Sequence, residues 1–207
     1  QVSPAEALAF VAVLCLIGLV VLLQFNITTI VLGAASLLLV AVYPFTKRLT
    51  YWPQFVLGLA FNWGALVGWT SAKGSLAVAP VLLYLGSVAW TIGYDTIYAH
   101  QDKEDDLLLG LKSTALRFGE ATASWVGSFY GIALVSWTLA GFLAGAHLIF
   151  FCAVALAALQ LAWQVTTLDI SDPTNCLRRF RSNRDVGAAI FLGLVADMAL
   201  SSLAGLA

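Results

Sequence analysis

Charge is what this sequence has little of. Only 10% of its 207 residues are Asp, Glu, Lys or Arg, and 61% are hydrophobic, against about 25% charged in a soluble domain. A water-facing surface on a chain of this size needs far more charge, so a soluble globular fold is excluded. The formal net charge is −1, and no strongly basic surface for nucleic acid is indicated. The three cysteines form no CxxC pair. Cys15 and Cys152 lie in apolar runs and Cys176 in a polar stretch, so they read as small hydrophobes plus one loop thiol rather than as a disulfide framework or metal site. Low-complexity tracts and short repeats are absent. The first apolar run has no charged n-region and no cleavage site, so it is not a signal peptide. With Gln1 in place of an initiator Met, the chain is expected to be a piece of a longer protein.

What the sequence does have is long apolar runs. A membrane-crossing helix needs about 20 apolar residues, and seven segments qualify: Ala5 to Gln24, Ile27 to Tyr43, Gln54 to Thr70, Leu76 to Ala99, Ala121 to Gly145, His147 to Leu168, and Val186 to Leu206. A backbone in lipid must satisfy its own hydrogen bonds, so these are helices. The fold class is all-α, a polytopic transmembrane bundle of seven helices in the lipid bilayer. Threading the chain back and forth places Lys47, Arg48, Lys103, Lys112, Arg117, Arg178, Arg179, Arg181 and Arg184 on one face and Lys73 alone on the other. By the positive-inside rule the basic face is cytoplasmic or, in a mitochondrion, on the matrix side. The long connections, Pro44 to Pro53, His100 to Glu120 and Asp169 to Asp185, all fall on that face, where chemistry is expected.

The second of these connections follows an acidic run. Asp95, Asp102 and Asp106 are spaced i, i+7, i+11, which on one continuous helix sets them within about 40° of each other. Asp95 then lies about 10 Å deeper than Asp102. Carboxylates at such a depth require a cavity or a partner, and adjacent carboxylates repel. A divalent cation relieves both, and hard oxygen ligands suit Mg²⁺, which takes one or two carboxylates plus phosphates and waters. Glu104 and Asp105 lie off that face and read as solvated. Lys47, Arg48 and Lys112, on the same side of the membrane, are candidates for binding a diphosphate by charge-assisted hydrogen bonds. Asn62, mid-span beside Trp63, is either interhelical glue or a donor lining a cavity. Asp197, mid-span in the last helix, is expected to make a buried polar contact, His147 to lie at the far interface, and His100 to be a bystander.

The stretches from Tyr43 to Trp69 (YPFTKRLTYWPQFVLGLAFNWGALVGW), Gly93 to Gly119 (GYDTIYAHQDKEDDLLLGLKSTALRFG) and Leu168 to Gly187 together resemble the UbiA family of intramembrane aromatic prenyltransferases. The resemblance covers essentially the whole chain and is nearest to the 4-hydroxybenzoate polyprenyltransferases of ubiquinone synthesis. It implies nine transmembrane helices around a central cavity, with two Asp-rich motifs holding a diphosphate through Mg²⁺. Asp95 with the run Asp102 to Asp106 matches the second motif, and Tyr43 and Lys47 match a YxxxK element. The first motif, of NDxxDxxxD type, has no match. The chain is therefore expected to be helices three to nine of such a fold, one transmembrane domain over residues 1–207 that is incomplete at its N-terminus and inactive alone.

The resemblance implies transfer of a polyprenyl group from polyprenyl diphosphate to the ring of 4-hydroxybenzoate. Mg²⁺ is the cofactor, and Asp95, Asp102 and Asp106 are both catalytic residues and metal ligands. Lys47, Arg48 and Lys112 would take the diphosphate, and Tyr43 and Asn62 the aromatic substrate. It further implies the mitochondrial inner membrane with a matrix-facing site, or a bacterial inner membrane with a cytoplasmic one, and association with other ubiquinone-synthesis enzymes. Three readings compete. They are another acceptor (homogentisate, a naphthoate or a chlorin), an ion-coupled transporter relaying through Asp95 and Asp197, and a non-catalytic scaffold.

Overall fold

The computed structural model describes residues 2–203, and among them every regular element is helical. Helix α1 spans Pro4–Leu22 and α2 Ile27–Val42. After a 3₁₀ turn at Tyr43–Phe45 come α3 (Thr46–Leu49), α4 (Pro53–Phe61), α5 (Gly64–Lys73) and α6 (Val78–Tyr98). Two short helices follow, α7 (Lys103–Leu108) and α8 (Thr114–Phe118). The long α9 (Thr122–Ala144), α10 (Leu148–Thr166) and α11 (Pro173–Leu203) complete the described chain.

Six stretches are long and apolar enough to cross a membrane: Pro4–Leu22, Ile27–Leu49, Pro53–Lys73, Thr114–Ala144, Leu148–Thr166 and Pro173–Leu203. The expected seventh, α6, is 21 residues long, about 32 Å and enough for a bilayer, but it is not among the six. It is the innermost helix. Ala79, Tyr84, Val88, Thr91, Ile92 and Thr96 are among its buried residues, so its surroundings are protein and it can carry polar side chains that a lipid-facing helix excludes. It packs along most of its length on α9, and also on α4 and α11. The approach to α9 is close because small residues meet there. A Cβ placed on Gly86 would come within 2.8 Å of Ser136 Cβ, and one on Gly93 within 2.5 Å of the Tyr130 ring. Such small-residue faces drive helix association in lipid, where burial of apolar surface does not. At the other extreme α1 has no buried residue and α2 buries only Thr29.

Three expectations need correction. The third span is long and apolar enough as expected, Pro53–Lys73, but its helix is interrupted at Asn62, whose amide nitrogen donates to Gly58 O (2.9 Å), Ser87 O (3.2 Å) and Thr91 Oγ1 (2.8 Å) and ties the end of α4 to α6. The expected loop from Asp169 to Asp185 is helical from Pro173 onward. Asp172 caps that helix by accepting the Thr174 N–H at 2.8 Å, with Pro173 in the first position where it is favoured. Arginine supports a helix as readily as it does a loop, so α11 is 31 residues, about 46 Å, and outruns the bilayer. The end expected at Leu206 lies outside the described residues. Third, the acidic run is not one helix. Helix α6 ends at Tyr98 and α7 starts at Lys103 with Asp102 as its N-cap residue, so the shared helical face of Asp95, Asp102 and Asp106 does not exist.

Candidate active site at the basic end

The three long connections meet one another, as their assignment to one face requires. The first and second join where the Lys112 N–H donates to Lys47 O (2.8 Å) and Thr114 N–H to Gln54 Oε1 (3.1 Å). The second reaches the third where the Gln101 side-chain amide donates to Pro173 O. Gly110 makes the first junction possible. Its φ is +65°, a left-handed conformation that glycine adopts without strain. The reversal it allows lets Leu111 N–H return to Asp106 O at 2.8 Å and delivers Lys112 to Lys47.

At this junction Lys47 Nζ donates to both oxygens of Asp106, at 3.1 and 3.3 Å. Asp106 is 3% exposed, so its charge is held by this pair. Asp102, one turn away along α7, accepts the Asp106 N–H on its backbone oxygen at 2.7 Å and has an exposed side chain. Asp95 is half-buried near the end of α6, within electrostatic reach of Lys47 and Asp102. Neither Asp95 nor Asp102 has an ion-pair partner among the described residues. Tyr43, in the 3₁₀ turn one helical turn before Lys47, lies close enough to both Asp95 and Lys47 to feel their charges.

The outer residues are arranged more loosely. Lys112 Nζ donates to Leu49 O at 3.3 Å and lies 5.5 Å from the Tyr51 ring centroid. Arg48 is exposed and without an ion pair among the described residues. Asn62 is not part of this junction. Its amide nitrogen is committed to α6, and only its oxygen could face a substrate.

Among the described residues no three His, Cys, Asp or Glu side chains stand close enough to hold a metal ion by themselves. The expected three-carboxylate set is thus not preassembled, since the turn after Tyr98 separates Asp95 from α7 and Asp106 is taken by Lys47. The donor chemistry still fits Mg²⁺. This ion rarely sits in an all-protein cage and uses one or two carboxylates plus substrate phosphate and water. Asp95 and Asp102 are two unpaired hard-oxygen donors beside a lysine.

A set of residues with no ionisable motif to reveal it holds the site in place. Thr96 and Thr114, both fully buried, share a hydrogen bond of 2.6 Å between α6 and α8. His100 bonds Thr122 Oγ1 through Nε2 at 3.1 Å, and burial, with Lys103 nearby, lowers its pKa to about 4. That ring is neutral at physiological pH and fixes the chain just before Asp102. Buried threonines beside the Lys112-Ser113-Thr114 turn were the available sequence signal. Away from the site, Asp197 makes the buried contact expected of it. Its two oxygens accept the N–H groups of His147 (2.7 Å) and Phe150 (3.2 Å), capping α10 from α11.

The family profile described as UbiA prenyltransferase family matches residues 1–195. This chain belongs to the UbiA prenyltransferase family. It is 50% identical over 196 residues to a Drosophila pseudoobscura pseudoobscura protein named 4-hydroxybenzoate polyprenyltransferase, mitochondrial, covering 94% of this chain and 49% of that one. The Arabidopsis thaliana protein of the same name is 50% identical over 194 residues, covering 93% and 48%. The Homo sapiens one is 48% identical over 196 residues, covering 94% and 53%. The chain spans about half the length of these curated relatives. A solved UbiA homolog from Aeropyrum pernix K1 superposes with a TM-score of 0.80 at 24% identity, over 95% of this chain and 74% of its own. The fold is therefore the UbiA fold.

Proposed function

We propose that the full-length protein containing these helices transfers a polyprenyl group from polyprenyl diphosphate to the ring of 4-hydroxybenzoate, in ubiquinone synthesis. The observation that supports the reaction class is the meeting, at the basic end of a membrane bundle, of two carboxylates unpaired among the described residues with Lys47 from the first connection and Lys112 from the second. The names of relatives about 50% identical support the acceptor.

When bound between Asp95, Asp102 and the diphosphate, Mg²⁺ would supply positive charge to the departing group. Lys47 and Lys112 add charge-assisted hydrogen bonds to the same oxygens. For Lys47 this means giving up some of its hold on Asp106, so diphosphate and Asp106 compete for one ammonium. The allylic C–O bond breaks with both electrons leaving on the diphosphate. The ring carbon ortho to the phenol attacks the allylic carbon, a C–C bond forms, and the ring loses the proton at that carbon. Tyr43, within electrostatic reach of Asp95 and Lys47, would orient the aromatic acid. The membrane location fits the substrates, with an apolar tail for the bilayer and charged heads for the basic end.

We place the protein in the mitochondrial inner membrane with this end in the matrix, after the relatives' names and the charge asymmetry. Association with other ubiquinone-synthesis enzymes would pass on the hydrophobic product. A proton relay through Asp95 and Asp197 is disfavoured, because both oxygens of Asp197 are held by backbone N–H groups at the start of α10, at the opposite end of the bundle from Asp95.

The test uses membranes bearing the full-length protein, supplied with a polyprenyl diphosphate and, in parallel, 4-hydroxybenzoate, homogentisate or a naphthoate, with and without Mg²⁺. Prenylated 4-hydroxybenzoate should form, only with a divalent cation. Preferential use of another acceptor refutes the assignment, and ion-coupled flux without any prenyl transfer refutes the reaction class.

A further inference from the structure

Arg179 is 7% exposed, yet no ion pair reaches it, and its Nε is buried without a hydrogen-bond partner among the described residues. Its guanidinium instead lies over the Trp163 ring, 4.8 Å from the guanidinium carbon to the centroid. A cation–π contact offsets only part of the loss of hydration of a guanidinium, so this cation lacks an anion. The nearby acids do not supply it. Asp169 Oδ1 accepts from Ser171 N–H (2.9 Å) and hydroxyl (2.6 Å), and Asp172 Oδ1 caps α11.

The position of the pair says what anion would fit. Helix α10 turns Leu161 and Gln164 inward, both buried, while Trp163 is 38% exposed. Arg179 itself stands on the buried face of α11 with Cys176, Asn183 and Val186, and its guanidinium reaches across to the exposed Trp163 of α10, so its charged end lies at the edge of the α10–α11 hairpin. Arg178 and Arg181 are exposed within the same turn of α11, Arg178 about 100° and Arg181 about 200° round the helix from Arg179, and Arg184 has only the exposed Asp185 at 3.1 Å among the described residues. Helix α11 runs without a break from these arginines into the bilayer, which sets them at headgroup level.

We propose that this edge is a binding site for the phosphate of an anionic phospholipid. Arg179 is the central ligand, Trp163 supplies the apolar-to-polar wall, and Arg178, about 100° round α11 from Arg179, adds outer charge. The site is independent of the prenyl-transfer reading and lies at the edge of the hairpin rather than among Asp95, Asp102 and Lys47.

The experiment equilibrates the purified protein in detergent micelles containing equal phosphatidylglycerol and phosphatidylcholine and quantifies the retained lipid by mass spectrometry. Phosphatidylglycerol should be enriched about five-fold or more, the scale of one arginine near a charged surface. Arg179→Gln should remove most of the enrichment. Arg179→Lys, which keeps the charge and reports on folding, should keep part of it, and Arg178→Gln should reduce it with an unchanged melting temperature. Millimolar inorganic diphosphate should leave the enrichment intact. Equal retention of both lipids by the unaltered protein overturns the proposal, as does undiminished enrichment in Arg179→Gln. Displacement by inorganic diphosphate overturns it too, because the site would then take soluble anions.

Discussion

The two ends of the bundle differ in how completely they pair their polar groups. At the end away from the basic face the fold satisfies what it buries. Asn26 donates to Thr70 O at 2.7 Å, Thr29 to Thr70 Oγ1 at 3.1 Å, and Asp197 takes both N–H groups at the start of α10. At the basic end, among the described residues, Asp95 and Asp102 have no ion pair, Arg179 has no anion, and His100 Nδ1 is buried without a partner. Buried polar groups are normally paired because an unpaired one costs about 1–3 kcal/mol. A fold that closes one end and leaves the other open is storing binding capacity at the open end. Buried groups that are paired, such as Asp197 at one end and the Thr96–Thr114 couple at the other, should govern stability, and the unpaired carboxylates at the basic end activity.

The largest effect expected from that contrast is on turnover. If the full-length protein carries out the proposed transfer, Asp95→Asn and Asp102→Asn should each reduce kcat by about 10²–10³, the range for removing one group that stabilises developing charge. Unfolding midpoints should not change, since neither carboxylate is paired. Loss of stability comparable to the loss of rate would erase the distinction between the ends. Next is Asp197→Ala, which leaves two backbone N–H groups of α10 without their acceptor. It should destabilise by about 2 kcal/mol, read as a lower midpoint in a denaturing-detergent titration, with Asp197→Asn in between. The kcat of folded Asp197→Ala should stay close to that of the unaltered protein. Third, Lys47→Ala should raise the KM for polyprenyl diphosphate about ten-fold while hardly moving that for the aromatic acid. An equal rise in both would make Lys47 a structural clamp on Asp106.

How much of this was readable in advance follows from the range of the forces involved. Lipid imposes a long-range rule on every span, so the helices and the side on which Lys47, Lys112 and the arginines lie were legible from run length and charge alone. The candidate residues Asp95, Asp102 and Lys47 were legible too, because charge near a membrane boundary has few explanations. What was hidden depends on single tertiary hydrogen bonds. Periodicity carries the helical phase from Asp95 through Asp106, but Gln101 reaching Pro173 and His100 reaching Thr122 accompany the turn that stops it. In the same way the helix of the third span is interrupted at Asn62, which Thr91 and Ser87 of α6 happen to face. The arginines of α11 looked like a loop since charge density reports exposure, not backbone conformation.

The smallest expected effect tests the geometry of α7 most directly. Glu104 lies two residues from Asp102 in the same acidic run, and a description in terms of local charge alone would make the two equivalent. Their surroundings differ. Glu104 and Asp105, with Ile170 and Pro173, line a separate groove of about 490 Å³ between α7 and the α10–α11 turn. Asp106, by contrast, turns to Lys47. On a helix two residues apart means roughly 200°, so Glu104 points away from the junction at which diphosphate would bind. Glu104→Gln removes one exposed charge, whose interaction with the site is screened by solvent. It should change kcat and KM by less than about two-fold, with no shift in the magnesium concentration giving half-maximal rate. Activity of Asp102→Asn and Glu104→Gln, measured side by side across a magnesium titration, decides the matter. Equal losses would mean that the whole acidic run acts as a diffuse negative field, and that the distinction between the face toward Lys47 and the face toward the groove has no bearing on the chemistry.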